Sequence, residues 1–178
     1  MQNQLKPESI QHWYLLYTNP RAEKKVEVEL KHKGYEVFLP LHKTLRQWSD
    51  RKKLVEVPLF NSYLFVYTEL EKHYYQILNV PGIVKFVNFE KKPAIVDPRE
   101  IELIKLMLGN IKDLENISAG EPFEPGQEVE IIAGPLIGTK GKMIEHKGKN
   151  KILIELNSIQ QSLAVTLPVE FLRRVKKE

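Results

Sequence analysis

From Gly109 to Pro122 the sequence GNIKDLENISAGEP carries little hydrophobic period, and this gap divides the 178-residue chain into two unlike parts. Before the gap, strand-like runs alternate with helical ones. The order is strand, helix, several strands, helix, strand, helix, which reads as an α+β domain with helices against antiparallel strands. After it come EVEIIA, GKMIEHK, KILIELN, SLAVTLP and VEFLRRV, short strand-like runs at about ten-residue spacing with Gly and Asn turns. That pattern reads as a small β-barrel. The expected boundaries are 10–108 for the first domain, 109–122 for a linker and 123–178 for the second.

Local signals fill in the first part. HWYLLYT, residues 12–18, reads as a buried strand. Asn19-Pro20 reads as a helix cap and first helical position, opening a helix over 21–33 that Gly34 closes. At 100° per residue, Ala22, Val26 and Leu30 share one face, and Lys24, Lys25, Lys31 and His32 the opposite one. YEVFLPLHKTLRQW and KKLVEVPLFNSYLFVYT read as strands, ELEKHYYQILNV as a short helix, IVKFVNF and PAIVD as extended. Asp97-Pro98 opens a helix to Leu108, with Ile101, Ile104 and Leu108 on one side. In YLFVY, alternation puts Tyr63, Phe65 and Tyr67 on one face and Leu64 and Val66 on the other. Both faces are apolar: one packs on helices, the other fills a core or serves as a docking patch.

The glycine-rich stretch GPLIGTKGKM, residues 134–143, tests for an enzyme. A phosphate loop needs a hydroxyl residue after Gly-Lys and a glycine five positions before the second glycine. Met143 and Leu136 stand there instead, and strands follow rather than a helix. The stretch reads as a tight turn between two strands. The chain has no cysteine, which removes disulfides, thiolate metal sites and cysteine nucleophiles. Its five histidines show no metal-ligand spacing, and no nucleophile elbow or dinucleotide fingerprint is present. No enzyme, metal or cofactor is expected. No signal peptide or roughly 20-residue apolar span is visible, so a cytoplasmic protein without a membrane contact is expected. Residues 1–110 hold 17 Lys+Arg against 13 Asp+Glu, and the remainder 10 of each, so the excess of +4 sits in the first part. It permits nucleic-acid contact without requiring it.

Three runs, WYLLYTNPRAEKKVEVELKHKGYEVFLP, EVPLFNSYLFVY and NVPGIVKFV, resemble the N-terminal (NGN) domain of NusG-type transcription elongation factors. FEPGQEVEIIAGPLIGTKGKMIE resembles their C-terminal KOW motif, in the family's order. The resemblance runs from His12 to Val175, and WYLLY, PLFNSYLFV and PAIV look most like the specialised RfaH and UpxY type that serves selected long operons.

The resemblance implies an NGN domain followed by an SH3-like KOW barrel. It implies a factor that docks on the clamp helices of RNA polymerase, holds the clamp closed and so suppresses pausing or termination. Carried over, the clamp-binding surface would use Tyr17, Phe60, Tyr63 and Phe65, with Ile95 or Val96 nearby. A gate-loop contact would fall at His73, Tyr74, Tyr75 and Gln76, where tyrosines stand in place of the threonines of the RfaH pattern. Asn61-Ser62 likewise replaces a common Pro-Gly. Non-template DNA would pass Lys24, Lys25, Lys31 and His32. The KOW domain would recruit Rho or a ribosomal small-subunit protein around Pro135, Leu136, Ile137 and Gly138, in a factor expected to be a monomer. Val, Ile and Thr in VEIIAG and LAVTLP favour its strand form over a helical one. The competing reading is a ribosomal or RNA-binding structural protein that uses the KOW barrel.

Overall fold

A computed structural model describes residues 10–47, 51–110, 114–118, 126–146 and 149–175 of the chain. In chain order the elements are β1 (His12–Thr18), α1 (Glu23–His32), β2 (Glu36–Phe38), β3 (Leu41–Gln47), β4 (Lys52–Pro58) and β5 (Tyr63–Thr68). They continue with α2 (Leu70–Leu78), β6 (Ile83–Phe86), β7 (Asn88–Phe89), β8 (Lys92–Pro93), β9 (Ile95–Val96) and α3 (Pro98–Asn110). The last group is β10 (Leu114–Ser118), β11 (Glu128–Ile131), β12 (Lys140–His146), β13 (Lys149–Leu156), β14 (Gln161–Thr166) and β15 (Leu172–Arg174). The class is α+β, as expected. Two compact units form: Met1–Leu39 with Asn61–Val96, and Pro40–Phe60 with Asp97–Glu178.

The first unit is an antiparallel sheet in the order β2-β5-β1-β6, with β9 also paired to β1. Residues directly opposite each other lie on one face of a sheet. Tyr14, Leu16, Leu64, Val66 and Phe86 therefore share the side on which α1 packs against β2 and β5 and α2 against β6. Val26 and Leu30 of α1 and Ile77 of α2 are fully buried. The expected stripe on α1 is right, but its start differs. Asn19-Pro20-Arg21-Ala22 closes a turn, Ala22 N–H donating to Asn19 C=O at 3.0 Å, with Arg21 at φ 67°. Pro20 presets the second position of such a turn, and the positive φ at the third is what a type II turn requires. The helix begins only at Glu23.

The second unit contains the two-stranded hairpin β3–β4, helix α3 and a six-stranded antiparallel sheet in the order β10-β14-β13-β12-β11-β15. Pro98 takes the first position of α3, and Asp97 Oδ1 accepts from Arg99 N–H at 2.8 Å, the expected cap. Ile101, Ile104 and Met107 are buried, and Leu108 is half-buried. Strands β11 to β15 match the five strand-like runs of the C-terminal sequence. Two features lie outside the sequence reading. Leu114–Ser118, inside the stretch 109–122 expected as a linker, is a strand paired to β14. Helix α3 and the hairpin β3–β4, both expected with the first part, group with the C-terminal strands.

Candidate functional site: an aromatic sheet face

The face of the first sheet opposite α1 and α2 is aromatic. The register pairs Trp13 with Tyr67, Leu15 with Phe65 and Tyr17 with Tyr63 across β1 and β5. Phe38 of β2 pairs with Phe65, and Lys85 of β6 pairs with Tyr17. The rings meet: Tyr17 and Tyr63 centroids lie 5.2 Å apart, Trp13 and Tyr67 5.4 Å, and Phe38 stacks on Phe65 at 5.8 Å. Lys85 Nζ sits 5.9 Å from the Tyr17 ring centre, a cation over a π face. Tyr17 and Tyr63 are half-buried, whereas Trp13, Leu15 and Phe65 are buried. Burial, and secondarily the neighbouring Tyr17, pushes the Tyr63 hydroxyl above its ordinary value.

Of the six residues expected for clamp binding, Tyr17, Tyr63, Phe65 and Val96 share this face, because Val96 pairs with Trp13. Ile95 pairs with Tyr14, so alternation turns it to the other face, where it is 53% exposed. Phe60 is buried and belongs to the second unit. Lys85 and Trp13 lie on the same face and are not among the residues expected for clamp binding. The pairing of β1 with β6, a long-range contact, brings Lys85 to Tyr17, and nothing local signals it.

The turn into β5 is held by a buried carboxylate. Glu23, at the start of α1, is 5% exposed, and its Oε1 accepts from Ser62 N–H at 2.7 Å. Ser62 adopts φ 66°, a conformation that favours glycine, and its C=O accepts from Thr18 N–H at 2.8 Å. The charge-assisted bond offsets the strain of a side chain in that region. The Asn61-Ser62 turn thus keeps Tyr63 in register with Tyr17 without a glycine.

The four expected gate-loop residues separate by role. Thr68 Oγ1 and His73 Nδ1 share a hydrogen bond at 2.9 Å. Tyr35 packs edge-on to His73, and its hydroxyl donates to Gln76 Oε1 at 2.9 Å. Tyr74 stacks on Phe86 at 5.1 Å. Tyr75, at 77% exposure, and Gln76 are exposed, whereas His73 and Tyr74 are half-buried. Lys24, Lys25, Lys31 and His32 are all exposed on α1, although Lys31 donates to Glu27 Oε1 at 2.7 Å and its charge is partly countered.

In the second unit, Pro135 to Gly138 form the turn between β11 and β12. Gly138 N–H donates to Ile131 C=O at 2.7 Å, and Gly138 has φ 85°, which only glycine takes without strain. The turn sends its two large apolar residues in opposite directions: Leu136 is 2% exposed and Ile137 67%. Leu136 is therefore a core anchor, and Ile137 stays on the surface. Pro135 and Gly138 are exposed. Among the described residues no group of His, Asp and Glu could hold a metal ion, and no helix is long and apolar enough to cross a membrane.

Comparison with known proteins turns this geometry into an identification. The family model described as transcription termination factor NusG matches residues 11–105, more than half of the chain. The chain belongs to the NusG family. It is 22% identical over 181 residues to a transcription termination/antitermination protein NusG of Borreliella burgdorferi, covering 92% of this chain and 98% of that one. It is 40% identical over 78 residues to transcription elongation factor Spt5 of Methanocaldococcus jannaschii, covering 43% of this chain and 49% of that one. A solved structure of Thermotoga maritima NusG superposes with a TM-score of 0.59 at 23% identity, covering 94% and 98% of the two chains, and carries the fold alone. The aromatic face thus lies within the segment that the NusG model matches.

Proposed function

We propose that this chain is a transcription elongation and antitermination factor that docks on RNA polymerase through the aromatic face of its first unit and recruits a partner through its C-terminal strands. The observation that carries the reading is the Tyr17–Tyr63 pair with Lys85 beside it: half-buried rings next to a cation on a sheet. Half-exposed aromatics on a rigid element supply contact area at low entropic cost. A surface that binds one state of a two-state polymerase better than the other shifts it toward that state, and a closed clamp disfavours pausing. In this reading Phe65 and Val96, buried on the same face, hold the docking rings in place, and Tyr75 makes the second contact, to the gate loop. Lys24, Lys25, Lys31 and His32 give sequence-independent phosphate contacts to non-template DNA. Ile137 is the centre of the recruitment surface for Rho or a ribosomal small-subunit protein. The likeness of WYLLY, PLFNSYLFV and PAIV to the RfaH and UpxY type supports the reading that it acts at selected long operons.

The test is transcription of a long template by purified polymerase, with wild-type protein and with a Tyr17→Ala, Tyr63→Ala variant. Phe65 is unsuited to this test because its fully buried ring would take the fold with it. Wild type is expected to shorten pauses or carry polymerase past a terminator, and the variant, with an unchanged melting temperature, is expected to lose both. Equal activity of the two proteins would remove the aromatic face from the mechanism.

A further inference from the structure

The segment that runs from Asp97 to Ser118 grips the segment from Asn157 to Thr166 at both of its ends. At its start, Asp97 N–H donates to Ser158 Oγ at 3.2 Å, and Ser158 N–H donates to Glu100 Oε1 at 3.1 Å. Ser158 lies in a 3-10 turn, Asn157–Ile159, directly before β14. At its end, β10 pairs antiparallel with β14 over five residues, from Leu114 opposite Val165 to Ser118 opposite Gln161. Since β14 pairs on its other side with β13, only β10 covers its outer edge among the described residues.

What is covered matters more than what covers it. β14 has the sequence QSLAVT, and its Leu163, Ala164 and Val165 are fully buried. An edge of that kind presents a row of backbone donors and acceptors ready to pair with another extended chain. The cover is weak on two counts. β10 reads LENIS, with Glu115 and Asn116 both poor strand residues. At the other end, Glu100 Oε2 is buried with no hydrogen-bond partner, so the anchor carries a desolvation cost.

We propose that β10 is a reversible clasp over a strand-accepting edge, anchored through Asp97 and Glu100, and that the occupant it holds off is an extended strand of a partner protein, which pairs with β14 in the place of β10. The occupant follows from the structure, which already seats an extended five-residue strand on that edge. Recognition is by backbone hydrogen bonds in antiparallel register, with affinity set by the strand propensity of the incoming chain. The clasp is tethered, so it competes at an effective concentration in the millimolar range for a short linker. A partner strand displaces it only by pairing better than LENIS does. This inference does not rest on polymerase docking and survives the failure of that reading.

The experiment uses the full chain in three forms: wild type, Ile117→Pro and an oxidised Ile117→Cys, Ser162→Cys pair. Ile117 stands directly opposite Ser162, and the chain has no other cysteine. Directly opposed antiparallel residues fall within disulfide reach. Proline removes a ladder hydrogen bond and opens the clasp; the disulfide locks it. The probe is a fluorescein-labelled peptide copying residues 112–120, followed by anisotropy, with amide hydrogen exchange of 161–166 alongside. In Ile117→Pro, exchange in 161–166 is expected to rise at least about tenfold over wild type while 140–144 stays protected. The peptide is expected to bind Ile117→Pro at least about tenfold more tightly than wild type, from its release of the tethered competitor, and not to bind the locked form. Unchanged exchange in 161–166, equal binding to the locked form, or no binding to Ile117→Pro at about 1 mM peptide, the scale of the tethered competitor, would each overturn the proposal. So would an Ile117→Pro dimer that keeps 161–166 protected, since the edge would then be a site for a second copy.

Discussion

At the scale of single residues, the most instructive pair is Glu23 and Ser62. A serine at φ 66° carries a steric cost that glycine avoids, and a buried glutamate answers it with a short bond to the serine N–H. Ser62→Gly removes the strained Cβ but adds unfolded-state entropy, so a net gain of up to about 1 kcal/mol is expected. Glu23→Ala leaves a buried N–H unpaired and should cost about 1.5–3 kcal/mol. Urea unfolding of the two variants measures both, and a neutral Glu23→Ala would show that the turn holds without its carboxylate. Neither partner announces the other in the sequence, because 39 positions separate them. Asn61-Ser62 is legible as a turn from its residue types; its geometry is not.

At the scale of elements, the turn Pro135–Gly138 shows how one short loop divides its work. Leu136 is buried and Ile137 exposed, although they are adjacent and chemically alike. Leu136→Ala should destabilise the chain by about 2–5 kcal/mol, as for other large-to-small core changes. Ile137→Asp should leave stability within about 0.5 kcal/mol, as for other surface changes, and weaken only partner binding. Thermal unfolding of both variants decides the assignment, and a large loss for Ile137→Asp would place that residue in the core as well. The sheet strands were more legible. In YLFVY the alternation of Tyr63, Phe65 and Tyr67 against Leu64 and Val66 predicted the two faces that the register shows, since a strand turns successive side chains to opposite sides. The same alternation separates Val96 from Ile95, but only once β9 is known to pair with β1. The start of α1 was misplaced by local signals: Asn19-Pro20 suits a helix opening and a turn equally, and the bond from Asn19 N–H to Gly82 C=O belongs with the turn.

At the scale of the whole molecule, the anchor at Glu100 links stability to pH. Burial raises its carboxyl above the ordinary value of 4.5, against the lowering effect of hydrogen bonds from Ser158 and Asn157. A raised carboxylate pKa means that the folded chain holds the proton more tightly than the unfolded one. The stabilisation it contributes is complete below about the unfolded value and is lost as pH rises through the raised folded value. Glu100→Gln, neutral throughout, should therefore melt higher than wild type at pH 7, with the gap narrowing as pH falls through the raised folded value and closing by about the ordinary value of 4.5. Calorimetry at several pH values checks this, and a gap that widens on acidification would reverse the sign. The same anchor holds the segment whose other end covers β14, so conditions that tighten it should also slow hydrogen exchange in 161–166.

The sequence by itself determined the periodicities: an α+β first part, a strand-rich second part, the apolar stripe of α1, the two faces of β5 and the cap of α3. These follow from local backbone geometry, which sends side chains in directions set by neighbours a few residues away. Likeness to known motifs added the family, which the match over residues 11–105 then established. Tertiary structure alone decided that Lys85 lies beside Tyr17, that Leu136 turns inward, that Glu100 meets Ser158 and that residues 114–118 form a strand on β14. Each of these depends on a partner distant in the chain, and burial or pairing with such a partner outweighs the preferences of a residue's own neighbourhood.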